Sequence, residues 1–148
     1  MTGCCVPTLL RTALSMSEHT FEAQTGPETL AEIQRTLDAA WSEDDVPDDT
    51  RMCIELAVSE IGTNIIEYSG DGQPVRLRMV VAVRPESVAV TFTDDGHPAP
   101  VDLARISMPG EAAESGRGLA LAHRVLDELS YTRDPDGNHW TLIRRRSE

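Results

Sequence analysis

Two valine-rich runs separated by only three residues constrain the fold of this chain more than any other feature. The runs are VRLRMVVAV (75–83) and SVAVTFT (87–93). The second run alternates apolar and polar residues, as a strand with one buried face does. Arg84-Pro85-Glu86 allows only a short connection between them. The two runs therefore predict an antiparallel hairpin.

Two helices are predicted before this hairpin. Residues 27–41 carry large apolar side chains at spacings of three and four, the pattern of an amphipathic helix: Leu30, Ile33, Leu37 and Trp41. A second helix is predicted from Pro47 to about Tyr68, with glycines after it as a stop signal. Its predicted buried stripe consists of Ile54, Ala57, Val58, Ile61 and Ile65.

The remaining elements complete the fold class. A weak strand is predicted at 18–24, a third helix from about residue 117, and two final strands at 130–134 and 138–145. Residues 94–115 are rich in turn formers and read as a long loop. This order predicts an α+β, two-layer sandwich: a mixed, mostly antiparallel sheet with helices on one face.

Composition narrows the class of function. The 148 residues fit one domain, which we expect at residues 17–148 after a disordered leader at 1–16. The net charge of −12 argues against binding to nucleic acid or to anionic membranes. The chain has no apolar run of the length that a membrane span needs.

The three cysteines, Cys4, Cys5 and Cys53, show neither disulfide nor zinc-site spacing. We expect Cys53, inside the second predicted helix, to be a buried free thiol. Cysteines that show no disulfide pattern predict a reducing, cytoplasmic setting for the protein.

Glu60 and Asn64 lie four residues apart in the second helix and therefore share one face. A carboxylate and an amide oxygen on one face could hold a divalent cation, and a glutamate could accept a proton from a hydroxyl nucleophile. A solvated polar helix face explains the same pair without any function. The spacing alone leaves both interpretations open.

Asp94 and Gly96 stand directly after the strand SVAVTFT. A carboxylate at a strand end can accept a hydrogen bond from an exocyclic amine, and glycine lets a flat ligand approach the backbone. Asp-Gly is also a common turn pair, so a plain tight turn is the alternative.

The start of the third helix forms the last motif, which consists of Gly116, Arg117, Gly118 and Leu119. Free backbone N–H groups at a helix start attract anions, and small residues let a phosphate come close. Arg117 adds positive charge in an acidic protein. A flexible hinge before the helix is the alternative.

The order of these motifs resembles that of the Bergerat-fold (GHKL) ATPases, and most closely the bacterial anti-sigma regulatory factors that are serine/threonine protein kinases. The first family motif is similar to E-x-x-T-N-x-x-x-H, beside ELAVSEIGTNIIEYSG here. The last is similar to G-x-G-L-x-L, beside GRGLALAHRVLDELS here. The resemblance covers roughly residues 18–146. Tyr68 stands where the family usually has histidine, and Ala120 replaces a frequent third glycine.

The resemblance implies ATP and Mg²⁺ as ligands and assigns a role to each motif. Asn64 would hold the Mg²⁺ that bridges the phosphates, and Glu60 would be the general base for a substrate serine. Asp94 would bind the adenine amino group, and Gly96 would admit the ring. The phosphates would be bordered by the start of the third helix: Gly116, Arg117, Gly118 and Leu119.

The same resemblance implies partners and regulation. Residues 97–115 would form an ATP lid. The chain would act as an anti-sigma factor in a partner-switching system, where it binds a sigma factor and phosphorylates a serine of a STAS-domain anti-anti-sigma protein. Homodimers are common in the group. The acidic net charge, as stated above, predicts no direct contact with nucleic acid or membrane.

Two other functions stay open at this point. One is a nucleotide-binding partner-switch module with little or no phosphotransfer. The other is an ATPase or a histidine-kinase catalytic fragment. A histidine kinase needs a separate helical phosphoacceptor domain, for which we expect no room in 148 residues.

Overall fold

The predicted hairpin forms the middle of an antiparallel sheet. The computed structural model describes residues 17–71, 73–99 and 114–146. Its strands are β1 (Ser17–Gln24), β2 (Arg76–Val83), β3 (Ser87–Asp94), β4 (Glu128–Asp134) and β5 (Gly137–Arg145). The five strands lie in the order β1-β2-β3-β5-β4. Every pairing among these described strands is antiparallel.

Three helices pack on one face of this sheet, so the predicted two-layer α+β sandwich is confirmed. They are α1 (Thr29–Glu43), α2 (Asp48–Asn64) and α3 (Glu114–Val125). Helix α2 contacts both of the other helices and also β3 and β5. None of the helices in the described ranges has the length and apolar composition that a membrane crossing requires.

The core forms between α2 and the central strands. Strand β3 alternates buried and half-buried residues along its whole length, as its sequence predicts. The predicted stripe of α2 is confirmed, because its five members are each at most 3% exposed: Ile54, Ala57, Val58, Ile61 and Ile65. Burial of such side chains is the main stabilising contribution to a domain of this kind.

The stripe predicted for α1 is only partly correct. Ile33 and Leu37 are buried, but Leu30 is 45% exposed. The remaining buried positions of the helix are Thr29 and Ala40. Leu30 lies at the start of α1 beside Gly62 of α2, where the helix pair leaves half of the side chain open to solvent.

Helix α2 changes its geometry before it ends. The sequence predicts one helix to Tyr68, but the α-helix ends at Asn64 and continues as a π-helical turn over Ile65–Ser69. A π-helical turn has hydrogen bonds between residues five apart, so it is wider than an α-helical turn, and it is often found at functional sites. Here it brings Ser69 to a buried position against the end of β3.

Several predictions fall outside the described residues or differ from the structure. The predicted leader (1–16) and most of the predicted lid (100–113) lie outside the described ranges. Cys53 is free, as predicted, but it is half-buried. Cys53 directly precedes Ile54, which is fully buried, so it lies beside the buried stripe of α2 and outside it.

The β4–β5 turn contains one pH-dependent contact. Hydrogen bonds to Asp134, first from the His139 ring and then from the Asp136 N–H, lower the pKa of this exposed carboxyl below its ordinary value of 3.8. A lowered folded-state pKa contributes stability that is present above the ordinary value and is lost as the pH falls through the lowered one.

We therefore expect Asp134→Asn to be less stable than the parent at pH 7, and the difference to shrink as the pH falls below the ordinary value of 3.8. Thermal unfolding of both proteins across this range measures the difference. A gap that stays constant with pH would contradict the assignment, and Asp136→Asn is the matched control because Asp136 contributes only its backbone N–H.

Candidate functional site

A pocket lies where α2, β3 and α3 meet. It holds about 480 Å³ of space outside the protein atoms and is partly open to solvent. Its apolar walls consist of Ile65, Ala99, Leu119 and Trp140. Its polar lining consists of Asn64, Tyr68, Ser69, Asp94, His97 and Asn138. The pocket thus combines apolar surface with a few polar groups, which is the usual composition of a small-molecule site.

Asp94 is the most constrained polar residue of the pocket. Its side chain is 1% exposed at the end of β3. Oδ1 accepts hydrogen bonds from the Ser69 hydroxyl, from the Gly96 N–H at 2.8 Å and from the Asn138 amide at 2.9 Å. Oδ2 is buried and has no partner among the described residues. A buried acceptor without a partner is costly unless a ligand or water supplies a donor.

The two polar residues predicted on α2 differ in their relation to the pocket. Asn64 is half-buried and lines it, at the last residue of the α-helix. Glu60 is half-buried one turn earlier and does not line it. Within the described residues, no three His, Cys, Asp or Glu side chains form a metal-binding group.

Gly96 has a packing role in this structure. A Cβ atom at this position would lie 2.1 Å from Ser69 Oγ and 2.4 Å from the Ser69 carbonyl oxygen. The neighbouring His97 N–H donates to the same carbonyl at 2.6 Å. Glycine lets the segment after β3 lie directly on the π-helical turn. The predicted approach of a ligand ring to Gly96 stays a prediction.

The last predicted motif lies at the start of α3. The helix begins at Glu114, three residues before the predicted start, so Gly116, Arg117 and Gly118 are in its first turns. Their side-chain environment lies outside the described structure, and their phosphate role stays a prediction. Leu119 is 1% exposed and lines the pocket. Among the predicted site residues whose side chains the structure describes, Asn64, Asp94 and Leu119 share the pocket.

Two polar residues of the pocket, Ser69 and Asn138, were not predicted from the sequence. Asn138 is 1% exposed and pairs with Asp94 in the β3–β5 register. A signal for it exists in the sequence. In NHWTLI, Asn138 falls on the same side of the strand as Trp140 and Leu142, so a polar residue occupies a core-facing position. Ser69 carries no comparable local signal.

Two side chains of β4 connect the pocket to the segment that follows β3. The Tyr131 hydroxyl accepts a hydrogen bond from the Ala99 N–H at 2.9 Å and donates to Asn138 Oδ1. Arg133 donates to the Gly96 carbonyl and to Asn138 Oδ1, both at 2.9 Å. The Tyr131 ring also packs against Trp140, with ring centres 4.7 Å apart. Residues 96–99 are therefore held against the edge of the sheet.

Comparisons with known proteins match this chain to one family and to solved structures. A sequence model of the family described as the histidine kinase-like ATPase domain matches residues 23–144. The fold is similar to that of the RsbU and RsbW domains of Rv1364c from Mycobacterium tuberculosis, at a TM-score of 0.61 and 18% identity. That match covers 89% of this chain and 33% of the other.

A second solved structure is the histidine kinase domain of the blue-light activated histidine kinase EL346 from Erythrobacter litoralis. Its TM-score is 0.50 at 25% identity, and the match covers 77% of this chain and 59% of the other. This chain therefore spans less than two thirds of either solved chain. The search of curated proteins found no match.

Proposed function

Because this chain belongs to the histidine kinase-like ATPase domain family, we propose that it is an ATP- and Mg²⁺-dependent serine/threonine protein kinase. In this proposal it acts as an anti-sigma factor in the cytoplasm. Its acceptor is a serine of a STAS-domain anti-anti-sigma protein, and its other partner is a sigma factor. The partner-switch role rests on the motif resemblance across residues 18–146. The nucleotide role rests on the pocket.

One observation carries the nucleotide part of the proposal. The pocket contains a buried carboxylate oxygen, Oδ2 of Asp94, that lacks a donor among the described residues. Apolar walls beside it, including Leu119, suit a flat ring. A base with an exocyclic amine supplies both features at once, because the amine is a donor and the ring is apolar on its faces.

Phosphoryl transfer would use the residues of α2. The acceptor serine oxygen attacks the γ-phosphorus, the bond to the β,γ-bridging oxygen breaks, ADP leaves, and Glu60 holds the hydroxyl proton. Asn64 would be a ligand of Mg²⁺, which neutralises phosphate charge when bound. Such transfers depend mainly on positioning and charge neutralisation, so few protein groups are required.

The phosphotransfer claim is tested by incubating the chain with Mg-ATP and a STAS-domain protein from the same organism. We expect Glu60→Gln to lower transfer by about 10²-fold or more, the contribution of a general base, while ATP affinity stays within about twofold. Asn64→Ala should instead remove the Mg²⁺-dependent part of ATP binding. Mass spectrometry measures transfer, and calorimetry measures binding.

Glu67→Gln is the matched control, because Glu67 is an exposed carboxylate in the same helical segment and does not line the pocket. ATP binding without transfer, unchanged by Glu60→Gln, would leave a nucleotide-binding module. ATP hydrolysis without a protein acceptor would indicate a plain ATPase. An acid-labile phosphoprotein product would indicate histidine rather than serine as the acceptor.

A further inference from the structure

Among the described residues, the large apolar side chains that are exposed all lie in the helical layer and none lies in the sheet. Single exposed apolar residues are common on protein surfaces, so only their arrangement is informative. Two of them lie one turn apart on α2, Met52 at 65% exposure and Leu56 at 36%; the others are Leu30, Tyr68 and Leu121. We call Met52 and Leu56 the α2 ridge.

The α2 ridge leads along the helix to the candidate site. Glu60 follows Leu56 by four residues, and Asn64 follows Glu60 by four. Residues four apart are neighbours on a helix surface, so the ridge, the half-buried Glu60 and the pocket-lining Asn64 form one continuous line. Since a helix rises about 1.5 Å per residue, Leu56 lies about 6 Å and Met52 about 12 Å from Glu60 along the axis.

The core of this chain does not use the ridge. Successive helix residues are about 100° apart around the axis, which places Met52 and Leu56 roughly opposite the buried Ile54 and Val58. The buried stripe of α2 thus packs on the sheet, while the ridge faces away from it. Covering the ridge with another protein would remove further apolar surface from water.

The surface around the ridge is acidic. Helix α2 carries four acidic residues and one basic residue: Asp48, Asp49, Glu55, Glu60 and Arg51. Arg51 forms an ion pair with Asp48, so its charge is already compensated. Carboxylates lie within one turn of the ridge at both of its ends, at Asp49 and at Glu60. A complementary protein surface is therefore apolar at its centre and basic around it.

We propose that the α2 ridge is the docking surface for the phosphoacceptor protein, and that this protein presents an apolar patch rimmed by lysine or arginine beside its acceptor serine. The proposal rests on the proposed kinase function and adds where the acceptor binds. A stable interface covers about 800 Å² on each partner, a patch about 30 Å across. A patch of this size centred on Glu60 includes both ridge residues, because they lie on the solvent side within about 12 Å of it.

The test measures initial rates of phosphate transfer to the STAS-domain protein at saturating Mg-ATP and varied acceptor concentration. The double variant Met52→Gln/Leu56→Gln should raise the KM for the acceptor at least about tenfold, as the loss of buried apolar contacts at an interface does. Its kcat and its affinity for ATP should stay within about twofold of the parent. Glutamine keeps the side-chain length and the helix propensity, so the fold is retained.

Leu30→Gln is the matched control. Leu30 is also an exposed leucine, but it lies on α1 beside Gly62 and outside the line from the ridge to Glu60. Its KM for the acceptor should equal that of the parent. An unchanged KM in the double variant, or an equal rise in the control, would overturn the docking role of the ridge.

Salt tests the charge of the partner. Raising NaCl from about 50 to about 200 mM should raise the parent's KM for the acceptor at least about threefold, because screening weakens attraction between exposed charges. A KM that does not change with salt would overturn the basic rim. A parent that is a dimer and a double variant that is a monomer, by sedimentation, would place a second copy of this chain on the ridge and overturn the proposal.

The two proposals fail in different ways. A parent that transfers no phosphate overturns the kinase function, and calorimetric titration with the acceptor protein then tests docking alone. Weaker acceptor binding by the double variant than by the parent would support the ridge without the kinase. Equal binding by both proteins, or no binding by the parent, would overturn this inference.

Discussion

Asp94→Asn is expected to reverse the base preference of the pocket. The new amide oxygen would take the place of Oδ1, because the Ser69 hydroxyl, the Gly96 N–H and the Asn138 amide all donate to that position. The amide nitrogen would then take the place of Oδ2. Two hydrogen-bond donors, this nitrogen and the amine of the base, would face each other without an acceptor. ATP affinity should fall by about 10²-fold, the loss of a hydrogen bond to a charged group with a mismatch added.

Inosine triphosphate should bind more tightly to this variant than to the parent, since its 6-oxo group accepts a hydrogen bond from the new amide. Titration of both nucleotides against parent and variant measures the reversal. Asp95→Asn is the matched control, because Asp95 is the adjacent, exposed carboxylate and its side chain accepts a hydrogen bond from the Arg76 N–H. Equal loss in both variants would mean that net charge, not base recognition, determines affinity.

Gly137→Ala is expected to destabilise the fold by about 3 kcal/mol or more. Gly137 has a φ of +130°, a region that side chains disfavour. A Cβ atom there would lie 2.1 Å from the backbone oxygen of Asp94. The β4–β5 turn or the end of β3 must therefore move. Denaturant unfolding measures the loss, and ATP affinity should fall with it.

Gly26→Ala is the control for this substitution. Nothing lies within 4 Å of a Cβ atom built at Gly26, and its backbone needs no positive φ. Its free energy of unfolding should stay within about 0.5 kcal/mol of the parent. If the two variants lost the same free energy of unfolding, the close contact and the positive φ at Gly137 would add no cost of their own, and the prediction would be wrong.

The helix and strand assignments follow from local periodicity. The three-residue link between the valine-rich runs allows only a hairpin, and the α2 stripe is buried as predicted. Periodicity was less informative at helix ends, where Leu30 lies beside Gly62 and yet is 45% exposed. It also gave no indication of the π-helical turn, because a π-turn depends on the contacts that its inserted residue makes.

The sequence by itself determined the order of three motifs, and with it the family to which the chain belongs. Tertiary structure alone decided which side chains surround Asp94. Ser69 lies 25 residues before it and Asn138 lies 44 residues after it. Local propensity depends on neighbouring residues, so it carries no information on contacts between residues so far apart in sequence. The register of β3 against β5 is set by burial of whole strands, because a slip of one residue would turn Asn138 to the solvent face.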